Sequence, residues 1–176
     1  MDKIKIVAIS DLHNNFKPTE GGDLLIIAGD MTNMGQRYEL EKFGEYLEEE
    51  KKKYKKVIYT PGNHDLMFEK DRETAESFVG HPAVINEIVE FEGLKIFMTP
   101  YSNKFGNWAF MKEDKELDEM VKTFPLDVDI IVMHGPPFGF LDMVPRGNVG
   151  SRTFRNYVDQ AIGYGRVKLI VWGTYP

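Results

Sequence analysis

Four times in this chain an aliphatic run stops on an acid, an imidazole or a glycine. Residues 4–9 lead into Ser10-Asp11-Leu12-His13, and residues 24–28 into Gly29-Asp30. Residues 57–59 lead through Thr60 into Pro61-Gly62-Asn63-His64-Asp65, and residues 128–133 into His134-Gly135-Pro136-Pro137. Short apolar runs bounded in this way are strand signals. A chain that ends its strands on metal-ligating side chains must set those strands side by side, because loops at strand ends converge on one edge while the strands hold them rigid.

Three further runs, residues 88–91, 94–98 and 167–172, bring the candidate strands to seven. The middle pair, joined by Glu92-Gly93, predicts a β-hairpin. Leu40, Phe43 and Leu47 share one face of a predicted helix over 36–54. The charged stretch Glu48 to Lys53 at its end reads as a solvated helix face. Further helices are predicted within 69–79, over 112–122, and over 153–162 with Ser151 as N-cap. Strands alternating with helices in the first half, and a hairpin in the middle, predict an α/β sandwich rather than a simple doubly wound sheet.

At 176 residues the chain predicts one compact domain, residues 1–176. Its net charge of -6 argues against duplex nucleic acid as a partner, since phosphate contacts need clustered Lys and Arg. Bound dications still attract a small phosphorylated substrate locally. With no Cys, a metal has only oxygen and imidazole donors, which favours Mn, Fe, Zn or Mg. No leader pattern opens the chain and no apolar run is long enough to span a bilayer, so the reading is a cytoplasmic protein that makes no use of a membrane. Nothing in the sequence fixes an oligomeric state.

The polar residues at the strand ends are suitable donors. Asp11 and His13, two apart in an extended segment, project to one side and can share an ion. Asp30 has two oxygens with which to bridge two ions, Asn63 offers a carbonyl and His134 an imidazole nitrogen. Two dications about 3.5–4 Å apart generate hydroxide from a bridging water and hold a phosphoryl group for in-line attack. Singly, Asp11 reads as a turn residue, Gly62-Asn63 as a turn and His134 as a hydrogen-bonded histidine. Their order, strand context and donor type together favour phosphoester hydrolysis.

The series Asp11-x-His13, Gly29-Asp30, Gly62-Asn63-His64-Asp65 and His134 resembles the calcineurin-like metallophosphoesterases. Residues 101–110 and 134–142 look like the MPPED-type branch, related to class III cyclic-nucleotide phosphodiesterases. The resemblance implies a four-layer sandwich of two mixed β-sheets flanked by helices. It also implies that Asp11 and His13 bind one divalent ion, that Asn63 and His134 bind a second, and that Asp30 bridges both, with Mn the favoured metal. It makes His64 the group that assists the leaving oxygen, with Asp65 orienting it, in hydrolysis of a small phosphodiester or cyclic nucleotide.

The family pattern ends in Gly-His-x-His, where this chain has Gly173-Thr174-Tyr175-Pro176. Each ion then keeps three protein ligands, which points to a truncated or weakened site. The alternative is a nucleotide-binding or protein-binding scaffold without efficient catalysis. Phe138, Phe140, Met143, Arg146 and Arg152 in the loop after His134 suit either a nucleobase-binding wall or ordinary packing with solvated arginines. Phe105, Trp108 and Phe110 read as core or pocket wall, and His81 as a plain loop residue.

Overall fold

The computed structural model describes residues 3–173. Strands β1 (Ile6–Ile9), β2 (Leu24–Ala28) and β3 (Lys56–Thr60) pair side by side in that order, all parallel, with helix α1 (Arg37–Glu50) crossing from β2 to β3. Helices α2 (Leu66–Lys70) and α3 (Arg72–Val79) follow. The hairpin β4 (Glu87–Phe91) and β5 (Leu94–Thr99) comes next, then the two-residue strands β6 (Ser102–Asn103) and β7 (Met111–Lys112) and helix α4 (Asp114–Val121). After β8 (Ile130–Met133), a small ladder of β9 (Met143–Val144) and β10 (Gly147–Asn148) leads to α5 (Arg152–Tyr164) and β11 (Leu169–Trp172). The second sheet has the order β11-β8-β5-β4, antiparallel at β4–β5 and parallel elsewhere.

The two-residue period of a strand explains the layers. In β2, Leu25 and Ile27 pack with Leu40, Phe43 and Leu47 of α1 and Ala75 and Val79 of α3. Their neighbours Leu24, Ile26 and Ala28 turn the other way and meet Ile96, Met98, Ile130 and Val132 of the second sheet. On that sheet's far face, Phe97, Ile131 and Met133 meet Leu117 of α4 and Phe154, Tyr157 and Val158 of α5. The molecule is therefore helix, sheet, sheet, helix, the expected four-layer sandwich. The interior strands β2, β5 and β8 place apolar residues on both faces, as a sheet covered on each side requires.

Local chemistry fixes the element ends. Ser151 caps α5 by accepting from the Phe154 amide at 3.2 Å, as expected. The hairpin turns on Glu92 and Gly93, with φ of 48° and 78°, the left-handed pair that a two-residue turn needs. Helix α1 stops at Glu50, short of the expected residue 54. Tyr54 is instead drawn aside, its hydroxyl 2.6 Å from Thr19 Oγ1 and 3.2 Å from the Gly21 amide. The helix expected within 69–79 is two, because Asp71 at φ -159° breaks the first, and its side chain accepts from the Thr74 amide to start the second. His81 lies 2.8 Å from Glu48 Oε1 and 2.8 Å from Lys51 Nζ, in keeping with a plain surface role. Among the described residues no helix is long and apolar enough to cross a membrane.

Asp129 ties three segments of the second sheet together. Its buried carboxylate accepts from the Lys95 amide at 2.9 Å, Arg166 Nη2 at 3.0 Å and Lys168 Nζ at 2.8 Å. Burial works to raise its pKa, but Lys168, the Lys95 amide and Arg166 outweigh burial and hold it well below the usual carboxylate range. A depressed folded-state pKa stabilises above the unfolded value of about 4 and loses that contribution as pH falls toward the folded one. Asp129→Asn is expected to cost about 2 kcal/mol at pH 7, discounted because both cations remain partly solvated. Urea unfolding at pH 7 and pH 3 checks this: the gap between wild type and variant should narrow at pH 3, and an unchanged gap would sink the account.

Candidate metal centre

The loops after β1, β2, β3 and β8 meet at one edge of the sandwich and are stitched to one another. The amides of Asp11, His13 and Asn14 donate to the carbonyls of Gly29, Asp30 and Met31, each at 3.0 Å, so the first two loops run together. Asp11, His13, Asn14 and Asp30 all have positive φ, between 44° and 64°. Non-glycine residues rarely adopt that conformation, and here it turns the donors inward. The segment from Asp11 to His13 is consequently a tight turn, not the extended stretch expected.

Two groups of side chains bring their donor atoms within 4.8 Å of one another: Asp11, Asp30 and His134, and His13, Asp30 and His64. Asp30 belongs to both, in the position expected of a bridging ligand. The grouping of the rest differs from expectation. Asp11 falls in the group with His134 and His13 in the group with His64, both from a segment with left-handed backbone. Asn63 joins the first group through its Oδ1, 2.8 Å from His134 Nε2. His64, expected only to assist the leaving oxygen, has a nitrogen in the second group.

The histidines are held by backbone carbonyls. His134 Nδ1 donates to the Ala28 carbonyl at 3.0 Å, which leaves Nε2 toward Asn63 and toward Asp30 Oδ1 at 3.4 Å. A carbonyl partner of this kind fixes ring orientation and is common behind metal-binding histidines. His64 Nδ1 donates to the Asn33 carbonyl at 2.8 Å, its ring lies 4.2 Å from that of Trp108, and its amide donates to Asp30 Oδ1 at 2.8 Å. Sequence reasoning missed the Asn33 carbonyl and the Trp108 ring contact, since no side-chain pattern announces either.

Asp65 takes a different position from the one expected. It does not orient His64 through its carboxylate, which is engaged by the Gly62 amide at 2.8 Å, the Thr32 amide at 2.9 Å, Thr32 Oγ1 at 2.7 Å and the Met31 amide at 3.3 Å. It clamps the second loop to the third from inside the protein. Thr174, Tyr175 and Pro176, where the family pattern has its last histidines, lie outside the described residues.

The electrostatics suit a cation. Burial disfavours a charge on His134, but hydrogen bonding to Asp30 and its charge outweigh burial and push the ring up to about 9. Burial likewise raises Asp30, and the His134 contact reverses this to a value below the usual range. Asp65, fully enclosed and beside the Asp30 charge, is pushed up to about 6. An imidazole that binds a metal must be neutral, so a dication here would displace the His134 proton. Space is kept open by glycines: a Cβ on Gly29, at φ 92°, would come within 2.3 Å of His134 Nδ1, and one on Gly62 within 2.3 Å of Asp30 Oδ1. Oxygen and imidazole donors, charge and clearance all fit divalent first-row ions.

The family model for calcineurin-like phosphoesterases matches residues 4–173. The chain belongs to this family. Human metallophosphoesterase domain-containing protein 1 is 31% identical over a match covering 90% of this chain and 57% of that protein. Probable rhamnogalacturonate lyase C of Emericella nidulans is 31% identical across 86% of this chain, which is 15% of the fungal protein. The chain thus spans little more than half of the human relative and a small part of the fungal one. The crystal structure of TT1561 of Thermus thermophilus has the same fold, with a TM-score of 0.63 at 16% identity, covering 97% of this chain and 81% of that one. Membership of the calcineurin-like family supports metal-dependent phosphoester hydrolysis as the general chemistry, with divalent ions at the His and Asp groups described above.

Proposed function

We propose that this chain is a metal-dependent phosphodiesterase acting on a small phosphodiester such as a cyclic nucleotide, with Mn as its preferred ion. The observation that carries the reading is one buried carboxylate, Asp30, shared by two donor groups at the convergence of four strand-end loops. Divalent ions bound there supply an electrophile for the phosphoryl oxygens and an activated water for attack on phosphorus. The side chains do the rest. Asp11, Asp30, Asn63 and His134 would hold one ion, and His13 with Asp30 the other. With its Nδ1–H committed to Asn33, His64 in its doubly protonated form would give the Nε2 proton to the departing oxygen, while the Trp108 ring lies against it.

Support for a substrate with an aromatic base comes from a neighbouring cavity of about 810 Å³, lined in part by Phe105, Phe138, Arg146 and Arg152. The Arg152 guanidinium lies 4.0 Å from the Phe138 ring centre, giving a flat cationic face. Phe138 is four residues beyond His134, and a chain covers at most about 3.6 Å per residue, so this wall of the cavity lies within roughly 14 Å of His134. No duplex nucleic acid or membrane is needed by this reading, and the compartment proposed is the cytoplasm. A binding role without turnover is the second reading, favoured by Thr174 and Pro176 where the family pattern has histidines.

Hydrolysis of bis(p-nitrophenyl) phosphate with Mn and with chelator tests the proposal. His64→Ala is expected to lower kcat by about 10²- to 10⁴-fold while calorimetry still shows Mn binding. Wild-type turnover no higher with Mn than with chelator would overturn the enzymatic reading and favour the binding one.

A further inference from the structure

Glu39 sits in the first turn of α1 and is 1% exposed, with four hydrogen-bond donors converging on its carboxylate. Oε1 accepts from Asn14 Nδ2 at 2.6 Å and from the Asn33 amide at 3.1 Å. Oε2 accepts from the Met34 amide at 3.2 Å and the Gln36 amide at 2.8 Å. Only the Gln36 contact is required by the capping box that starts the helix. The other three reach outside the helix, to the two loops that carry His13 and the carbonyl partner of His64.

Asn14 follows His13 directly, and its left-handed backbone at φ 64° is part of the turn that aims His13 at Asp30. Asn33 presents its carbonyl to His64 Nδ1 at 2.8 Å, and Glu39 holds the amide of that same residue. One carboxylate therefore anchors both sides of the second donor group, and touches neither histidine itself. We propose that Glu39 is a positioning residue: it sets the His13 turn through Asn14 and the His64 ring through Asn33. The proposal rests on the phosphodiesterase reading only for its effect on turnover, since the hydrogen bonds exist without substrate.

Glu39→Gln keeps the shape but presents an amide NH2 where two donors now point at an oxygen, so one arm of the network must open. Circular dichroism establishes that the variant is folded. Its kcat for bis(p-nitrophenyl) phosphate is then expected to fall about 10- to 100-fold, the scale of a small misplacement of reacting groups, with KM changed far less. In the protein without added Mn, the ¹⁵N spectrum of the neutral His64 ring should move from the Nδ1–H form, fixed by Asn33, to a mixture of both tautomers. Asn14→Gly, which tolerates the positive φ, cuts only the His13 arm. It should weaken Mn binding about 10-fold in calorimetry and leave the His64 spectrum as in wild type.

A folded Glu39→Gln protein with the wild-type His64 spectrum overturns the proposal, whatever its turnover, because a merely structural residue would behave in that way. Wild-type Mn affinity in Asn14→Gly overturns it equally, and that variant decides the matter if Glu39→Gln does not fold. Absence of Mn-dependent turnover in wild type tells instead against the phosphodiesterase reading, and the His64 spectrum and Mn affinity still test Glu39.

Discussion

Asp30→Asn is expected to reduce metal-dependent hydrolysis of bis(p-nitrophenyl) phosphate by on the order of 10³-fold or more, the largest effect of any single exchange in the site. The two side chains are nearly identical in shape, and Asp30 is 1% exposed, so the fold should survive with its packing unchanged. What disappears is the negative charge shared by both donor groups. Oδ1 lies 3.4 Å from His134 Nε2, and Oδ2 lies 3.7 Å from His13 Nε2. An amide in that place cannot ligate two cations with charged oxygens, and its NH2 group would confront a ring nitrogen or an ion. Mn should also stop stabilising the protein, since a ligand raises the melting temperature only as far as it binds the native state. The assay and a thermal melt with and without Mn check both statements. Turnover within tenfold of wild type in the variant would show that Asp30 is not shared by two ions.

Gly62→Ala is expected to close the site by bulk alone. A Cβ there would lie 2.3 Å from Asp30 Oδ1, 2.4 Å from the Asp30 amide nitrogen and 2.7 Å from His134 Cε1. These are contacts to a buried carboxylate, to backbone and to a held ring, so no flexible chain end can move aside. The variant should lose about 1–3 kcal/mol of stability, as overpacked sites do. Mn affinity should fall about 100-fold as Asp30 and His134 are forced apart, an effect at the upper end of those seen for groups supporting metal ligands. Urea unfolding and calorimetric titration with Mn give the two numbers. Wild-type Mn affinity would mean that the loop can relax, and that the closeness of Gly62 is incidental.

The strand ends made much of this site legible. Asp11, Asp30, Asn63 and His134 stand out because each lies within a few residues of the end of an apolar run, and parallel strands set their ends on one edge. The sandwich was legible from strands alternating with helices in the first half and a hairpin in the middle. Legibility stopped where backbone geometry took over. The pairing of Asp11 with His13 presumed an extended segment, and nothing in Asp-Leu-His warns of two left-handed residues. The resemblance made Asp65 the group that orients His64, but the turn carries its carboxylate into the core. Trp108 lies in a loop whose path depends on short strands of two residues, too brief to leave a period in the sequence. Glu39 falls within the helix predicted over 36–54, which gave no sign of a role for it, and its reach to Asn14 and Asn33 depends on tertiary structure.

The hydrogen bond from His134 to the Ala28 carbonyl joins residues 106 apart in the chain, one from each sheet. Closing so long a loop is entropically slow, and contacts of this separation form late in folding. The first sheet and its helices can assemble from the opening 80 or so residues, roughly, by local crossovers, yet at that stage the chain has no His134 to offer. A site that needs both Asp30 and His134 can form only once the two sheets have docked. An ion held between Asp30 and His134 rivets one sheet to the other, and its occupancy would report directly on the docking of the two halves.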